Sequence, residues 1–343
     1  MSTTQNPYIA KLNNLKTELD KIVVGYDDMK WKVIMCLISD GHLLLQSVPG
    51  LGKTLLVEAL AQVVEGATQY AFQMTPDMKP ADVLGGEIFN PVTGQFEVRY
   101  GPIVPANFVI LDEINRTTPK TLSAALRAMQ ERYVAIGGKR QELLDPFLVM
   151  ATMNPVEQEG TFPLPEALLD RFAFEIFMGY VTEDQEVELL RRTHLHDRHA
   201  KDHAKVAITK QDIVDAREQV VDISAHASDE ILNYITRLVR ATRPELEYFH
   251  LVTDKEGKTF EDYIAVGASP RCEIWMLRTA AARAFIKGRT DILPDDIKSV
   301  YKSACRHRLT LTQRAKFGNA FDLNDYLDTV LNKIPVNSDK SSQ

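Results

Sequence analysis

What this chain lacks narrows the field before any motif is read. No apolar run approaches the ~20 residues that a bilayer-spanning helix needs, and the opening MSTTQNPY is polar, so neither a membrane anchor nor a secretory leader is expected. Cysteine is scarce: Cys36, Cys272 and Cys305 stand far apart, with no pair at metal-ligand spacing. That excludes a disulfide framework and a cysteine-built zinc site, and it fits a reducing compartment such as the cytoplasm. Basic excess is missing too. With 40 Lys and Arg against 47 Asp and Glu the formal net charge is −7, which argues against a general nucleic-acid binder, because such proteins present a basic face. There is no internal repeat, and no Asn-Lys-x-Asp guanine reader, since Asn332-Lys333 continues as Ile-Pro. The apolar and charged fractions, 45% and 25%, are those of an ordinary soluble globular protein, and 343 residues suffice for two domains with real cores.

Against these absences one stretch stands out, His42 to Thr54, HLLLQSVPGLGKT, running on into the helical pattern TLLVEALAQVVE. The apolar run His42 to Leu45 suits a buried parallel strand, and Gly50 and Gly52 allow a tight turn that a Cβ would resist. Strand, glycine loop and helix together read as a phosphate cradle for a nucleotide such as ATP. Its backbone N–H groups, from Pro49, Gly50, Leu51 and Gly52 to Lys53, Thr54 and Leu55, define the candidate binding segment, less the N–H that Pro49 lacks. Lys53 is placed to reach the β- and γ-phosphates, and the Thr54 hydroxyl to ligate Mg²⁺. Ser47 stands where the phosphate-loop pattern begins with Gly; Gly50 and Gly52 remain for the close approach, so an altered start to the loop is expected and not a lost site.

A Gly-Lys-Thr tripeptide alone is poor evidence, because at average composition it occurs by chance in about one chain in ten. This chain carries its own decoy. Gly257-Lys258-Thr259 lies in the charged segment DKEGKTFED, with no preceding strand and no second glycine, and reads as a solvated turn.

Along the chain, Ile9, Leu12, Leu15, Leu19 and Ile22 mark one helical face, and Asp27 to Asp40 a second helix stopped by Gly41. Strands are predicted over Ala67–Gln73, Phe108–Leu111, Phe147–Thr152 and Phe172–Phe177, with a capped helix after Thr118-Pro119. A hairpin around the turn Asn90–Gly94 is inserted at about 85–103, and Gly137-Gly138 marks another turn. Strands alternating with helices predict an α/β fold, a parallel sheet with helices on both faces and ligands at the carboxyl ends of the strands. From Thr182 onward the pattern is helical. The expected division is a nucleotide-binding domain over 1–180, a helical lid over 181–335 and a polar tail, 336–343.

Asp112 and Glu113 end the strand Phe108–Leu111. A phosphate loop needs a carboxylate near its metal, which fits Asp112, and Glu113 can then polarise a water for in-line attack on the γ-phosphate. The competing reading is a solvated acidic turn, which the upstream phosphate loop disfavours.

Three segments, FVILDEINRTTPKTLSAALRAMQERYV, VMATMNPVEQEGTFPLPEALLDRFAFEIF and GASPR, resemble the MoxR family of AAA+ ATPases, and the likeness extends from KIVVGYDDMK to ACRHRL. The resemblance implies a P-loop αβα sandwich followed by an all-helical lid, Mg²⁺-dependent ATP hydrolysis, and a homo-hexameric ring. It also implies a protein client and a partner carrying a von Willebrand factor A domain. By the same resemblance Asn154 is the first sensor of the γ-phosphate or the attacking water, Arg171 in LLDRF the arginine finger offered to a neighbouring subunit, and Arg271 in GASPR the second sensor, in cis or in trans. For Arg171 the plain alternative is an ion pair with Asp170. The hairpin with Phe89, Phe96 and Tyr100 resembles the helix-2 insert of this clade, and those aromatics are equally readable as hairpin core or as client contacts. His194, His196, His199 and His203 read as a solvated linking helix sooner than as a metal site, for want of partnering carboxylates. Two functions compete with the ATP-driven remodeller: a nucleotide-gated scaffold with slow turnover, and a chelatase subunit or nucleic-acid motor of the same clade.

Overall fold

A computed structural model describes residues 6–48, 50–154, 162, 164–194, 204–254, 256–317 and 321–336. The chain opens with α1 (Pro7–Ile22), where Pro7 tolerates the first turn and the Asn6 side chain accepts from the Tyr8 N–H, followed by α2 (Asp27–Ile38). Next come β1 (Leu43–Ser47), α3 (Lys53–Val63), the short β2 (Val64–Glu65) and β3 (Gln69–Gln73). The helix α4 (Pro80–Leu84) leads into the hairpin β4 (Gly85–Asn90) and β5 (Gln95–Tyr100). Then follow β6 (Phe108–Asp112), α5 (Pro119–Glu131) capped by Thr118, a second hairpin of β7 (Tyr133–Ile136) and β8 (Lys139–Glu142), β9 (Leu148–Met153), α6 (Glu166–Leu169) and β10 (Phe174–Met178). Beyond these lie α7 (Glu183–His194), β11 (Ile208–Thr209), α8 (Lys210–Ala225), α9 (Asp229–Arg240), α10 (Glu247–His250), β12 (Ile264–Val266), α11 (Pro270–Ile286), α12 (Pro294–Cys305), β13 (Thr310–Leu311), α13 (Gln313–Phe317) and α14 (Leu323–Lys333).

The central sheet has five strands in the order β10-β1-β9-β6-β3, every neighbouring pair parallel. Both of its faces are covered, which is why its strands read as unbroken apolar runs. Leu43 and Leu45 of β1, Phe108 and Ile110 of β6, and Leu148 and Met150 of β9 join one buried cluster, while Leu44, Val109 and Val149 join the other. The first cluster also takes in Leu12, Leu15 and Leu19 of α1, Val33 and Ile34 of α2, and Ile213, Ile235 and Met276 of the later helices. One apolar core therefore runs from the sheet into the lid through α1 and α2.

The lid is helical as expected, with two short ladders added. β12 and β13 form an antiparallel ladder, and β11 pairs in parallel with β2, tying the chain after the sheet back to the end of α3. Ladders of two or three residues carry no periodic signal a sequence reader can find. Among the described residues no helix is long and apolar enough to cross a membrane.

Candidate active site

The phosphate loop follows β1. Pro49 lies outside the described residues, but Gly50 and Gly52 both hold left-handed backbone, φ +85° and +81°, and Gly52 caps α3 so that the helix begins at Lys53. A Cβ on Gly50 would meet nothing within 4 Å, and one on Gly52 only the Cβ of Leu55 at 3.9 Å, so the cradle is open above its backbone. Leu51 and Leu55 pack against the core beneath, and Thr54 is exposed in the first turn of the helix. Ser47, the departure at the loop's start, is fully buried in register with Met178, and its hydroxyl has no hydrogen-bond partner.

The other candidates gather at the same end of the sheet. Lys53 Nζ lies 3.4 Å from Asp112 Oδ1. Thr152, near the end of β9, works as a clip: its hydroxyl donates to Asp112 Oδ1 and accepts the Glu113 backbone N–H at 2.9 Å. Glu113 is in left-handed backbone, φ 57°, which turns it off the strand, and its Oε2 accepts from Gln73 Nε2 at 2.9 Å and pairs with Arg116 Nε at 2.9 Å. Asn154 is buried just past β9. An open cradle, a lysine, an exposed hydroxyl and a carboxylate together make a donor set suited to a nucleotide phosphate with Mg²⁺.

Beside the loop is a cavity of about 310 Å³ whose walls include Val23, Val24, Tyr26, Leu55, Tyr180 and Leu189. It is largely apolar, and Gly50, Leu51 and Gly52 of the loop form part of its wall. Tyr26 opens α2 from left-handed backbone and donates its hydroxyl to the Gly179 carbonyl at 2.9 Å, joining the two sides of the cavity. Sequence reasoning named none of these walls except Leu55; the signal was the VVGY at the α1–α2 junction.

Arg171 and Arg271 are not part of this cluster. The Ala173 N–H donates to the His42 carbonyl at 2.8 Å, so the segment carrying Arg171 is level with the start of β1, whereas the phosphate loop follows its end. Five strand residues, about 17 Å, separate the two. The structure brings the two arginines to each other instead, around one cavity. Asp170 does not form the alternative ion pair with Arg171: Oδ1 accepts from Arg308 Nε and Ser269 Oγ, each at 2.8 Å, and Oδ2 lies 3.5 Å from Arg271 Nη1. Arg171 Nε and Nη1 are buried without a hydrogen-bond partner, and burial together with the Arg271 charge lowers the proton affinity of its guanidinium.

The inserted hairpin stands out from the body. Phe89 and Phe96 face each other across it, rings 5.5 Å apart edge to face, yet remain 52% and 68% exposed. They pack on one another and not into a core. His196, His199 and His203, and the side chain of His194, lie outside the described residues.

Comparison with known proteins agrees with this geometry. A family model described as the ATPase family associated with various cellular activities (AAA) matches residues 42–174, and an AAA lid domain model matches residues 258–324. The fold and the loop thus define an AAA+ ATPase with its lid. Chaperone MoxR1 of Mycobacterium tuberculosis is 39% identical over 299 residues, covering 87% of this chain and 75% of that one. The uncharacterized protein YeaC of Bacillus subtilis is 40% identical over 300 residues, covering 87% of each. The crystal structure of a Cytophaga hutchinsonii protein assigned as an ATPase superposes with TM-score 0.85 at 36% identity, covering 97% of this chain and 96% of that one. The chain belongs to the MoxR family of AAA+ ATPases.

Proposed function

We propose that this protein hydrolyses ATP at sites shared between neighbouring copies in a ring, taken as a hexamer, and uses the cycle to remodel or mature a protein client in the cytoplasm. The carrying observation is the separation of Lys53, Asp112 and Glu113 from Arg171 and Arg271 by the length of the sheet. One chain cannot close such a site on itself. In this reading residues 1–180 bind the nucleotide, 181–335 form the lid, and both arginines act in trans. The name of the mycobacterial relative supports the chaperone role, and the family resemblance supports a partner with a von Willebrand factor A domain.

Lys53 and the loop N–H groups hold the phosphates, while the apolar cavity by Tyr26 takes the base. Thr54 and Asp112 would hold Mg²⁺, which when bound neutralises charge on the phosphate oxygens. Glu113 orients the attacking water and accepts its proton, once it gives up its bonds to Gln73 and Arg116. Asn154 holds the water or the γ-phosphate by its amide, and a neighbour's Arg171 meets the charge that spreads over the transferred group. The hold of Gln73 and Arg116 on Glu113 also favours a second reading, a slow nucleotide-gated scaffold.

ATPase rate per chain, measured across a wide range of protein concentration, tests the shared site. A specific rate that rises with concentration and levels off is the expected result. A flat and appreciable rate in protein shown to be monomeric would refute it. Separating remodeller from scaffold takes client addition, which should speed the first and leave the second unchanged.

A further inference from the structure

The turn that joins α1 to α2 is held by cations from two directions. After Ile22 the chain leaves helical backbone over Val23 to Tyr26, with Gly25 at φ +73° and Tyr26 at φ 58°. Carbonyls at such a helix end lack partners within the helix and draw positive charge. Lys30 of α2, only 1% exposed, donates from Nζ to the Val23 carbonyl at 2.6 Å and to Asp20 Oδ1 at 2.5 Å. Asp20 also accepts from Lys16 Nζ, at 2.8 and 2.6 Å, and Lys16 reaches on to Asp27 in the first turn of α2. The buried ammonium is thus paired, as burial of a charge requires, and its hold on Val23 is kept. From the other direction Arg192 of α7 donates from Nη1 to the Asp20 and Lys21 carbonyls, at 3.1 and 2.7 Å, and from Nε to Glu188 Oε1 at 3.0 Å.

The same turn and the same helix line the cavity of about 310 Å³ beside the phosphate loop, where Val23, Val24 and Tyr26 meet Leu189 of α7 next to Gly50 and Gly52. Arg192 follows Leu189 by three positions, one turn along the same side of α7. The fit is close: a Cβ on Gly25 would come within 2.8 Å of Gln185 Oε1 and 3.1 Å of Val181 Cγ1. A shift of the turn against α7 therefore reshapes the cavity. We propose that Lys30 and Arg192 are positioning residues of the nucleotide site, which fix the Val23–Tyr26 turn from α2 and from α7 and so set the shape of the cavity that receives the base, a role that rests on the reading of that cavity as the base site. Neither side chain is part of the cavity wall, so each acts through the turn. A ligand made of phosphates alone, held by Lys53 and the loop N–H groups, should not feel them.

ADP and pyrophosphate carry the same number of phosphates, and only ADP carries a base. Each is titrated with Mg²⁺ into the full chain by displacement of a fluorescent ADP derivative, whose own affinity is measured for every variant. Arg192→Ala and Lys30→Met should each weaken ADP about fivefold or more, the low end of couplings between groups that do not touch, and leave pyrophosphate within about twofold. Arg192→Lys, which keeps a cation able to reach one carbonyl, should recover part of the loss. The Arg192 side chain is 30% exposed, so its variants carry the test should melting curves show that Lys30→Met does not fold. ADP and pyrophosphate weakened alike would mean general damage to the fold and would overturn the proposal, as would an unchanged ADP affinity in Arg192→Ala. A wild type that holds ADP no more tightly than pyrophosphate would overturn the base reading and the positioning role with it. A preference for ADP that survives both substitutions would overturn the positioning role alone.

Discussion

At the carboxyl end of the central sheet the charges are answered locally: Lys53 by Asp112, Asp112 by the Thr152 hydroxyl, and Glu113 by Gln73 and Arg116. At the amino end of the same sheet Arg171, Arg271 and Arg278 crowd a cavity whose nearby carboxylates are spent elsewhere. The first arrangement is a site waiting for a ligand that several groups already shape. The second holds positive charge with little local complement. The length of the sheet separates the two, and under the proposed shared site the chemistry of one copy is completed by the surface of another.

That contrast breaks most sharply when each end is disabled alone. Glu113→Gln should lower turnover by about 10²- to 10⁴-fold while nucleotide binding persists, since only the proton acceptor is lost. Arg171→Ala should cost about 10³-fold. Lys53→Ala should remove binding as well. The decisive measurement mixes Arg171→Ala with Lys53→Ala, because a copy with an intact loop can then sit beside one with an intact arginine. Partial recovery of turnover in the mixture is expected; none at any ratio would mean the two ends do not share a site.

The carboxyl end was legible because its signals are local. Strand, glycines, Lys53 and Thr54 are contiguous, and Asp112 and Glu113 sit at the end of an apolar strand. The clip and the restraint were not legible, since Thr152 and Gln73 look like ordinary strand residues and acquire meaning only through neighbours forty positions or so away in the chain. Arg171 and Arg271 were found by family resemblance, but their shared cavity was not, and Arg278 looks like any helical arginine. Partners are set by packing between lid and sheet, which no spacing rule encodes. The pairing of Asp170 with Arg308 in place of Arg171 has the same origin.

The sheet that separates the ends contains a titratable group of its own. Glu175 on β10 is 3% exposed and takes a bond from Gln46 Nε2 at 2.6 Å; burial pushes its pKa from the ordinary 4.5 up to about 7, against the opposing pull of Arg306. The folded chain therefore keeps a proton that the unfolded chain releases. This contribution is fully present below about pH 4.5 and is lost as pH rises to about 7, a change of about 3 kcal/mol. Thermal melting of the wild type and Glu175→Gln across that window should show the wild type losing stability relative to the variant, with the difference level above pH 7. Parallel curves would place the carboxyl in a better-solvated setting than its burial implies.

A smaller effect is expected at Gln73. Its bond to Glu113 is a single amide donor on a carboxylate, worth ~1 kcal/mol, so Gln73→Ala should raise basal turnover about fivefold by freeing a lone pair for water. A fall in rate would mean that Gln73 aims Glu113 and does not restrain it.

The smallest effect is expected at the second Gly-Lys-Thr, and it tests what makes the first one a site. Gly257 shares the left-handed backbone of Gly52, φ +79° against +81°. There the likeness ends. The Asp254 carboxylate accepts from the Glu256 and Lys258 N–H groups at 2.8 and 2.9 Å, an isolated bridge joins Thr253 to Thr259, and Lys258 Nζ turns to Glu256 at 2.8 Å with its side chain 74% exposed. An acid thus occupies the very amides that a phosphate would need, and no helix follows to aim more of them. Lys258→Ala should leave nucleotide affinity and turnover within twofold of the wild type, since exposed ion pairs contribute ~1 kcal/mol or less. A large loss of nucleotide binding in that variant would mean that the tripeptide acts outside its strand-loop-helix setting, and the argument from setting would fail for Lys53 as well.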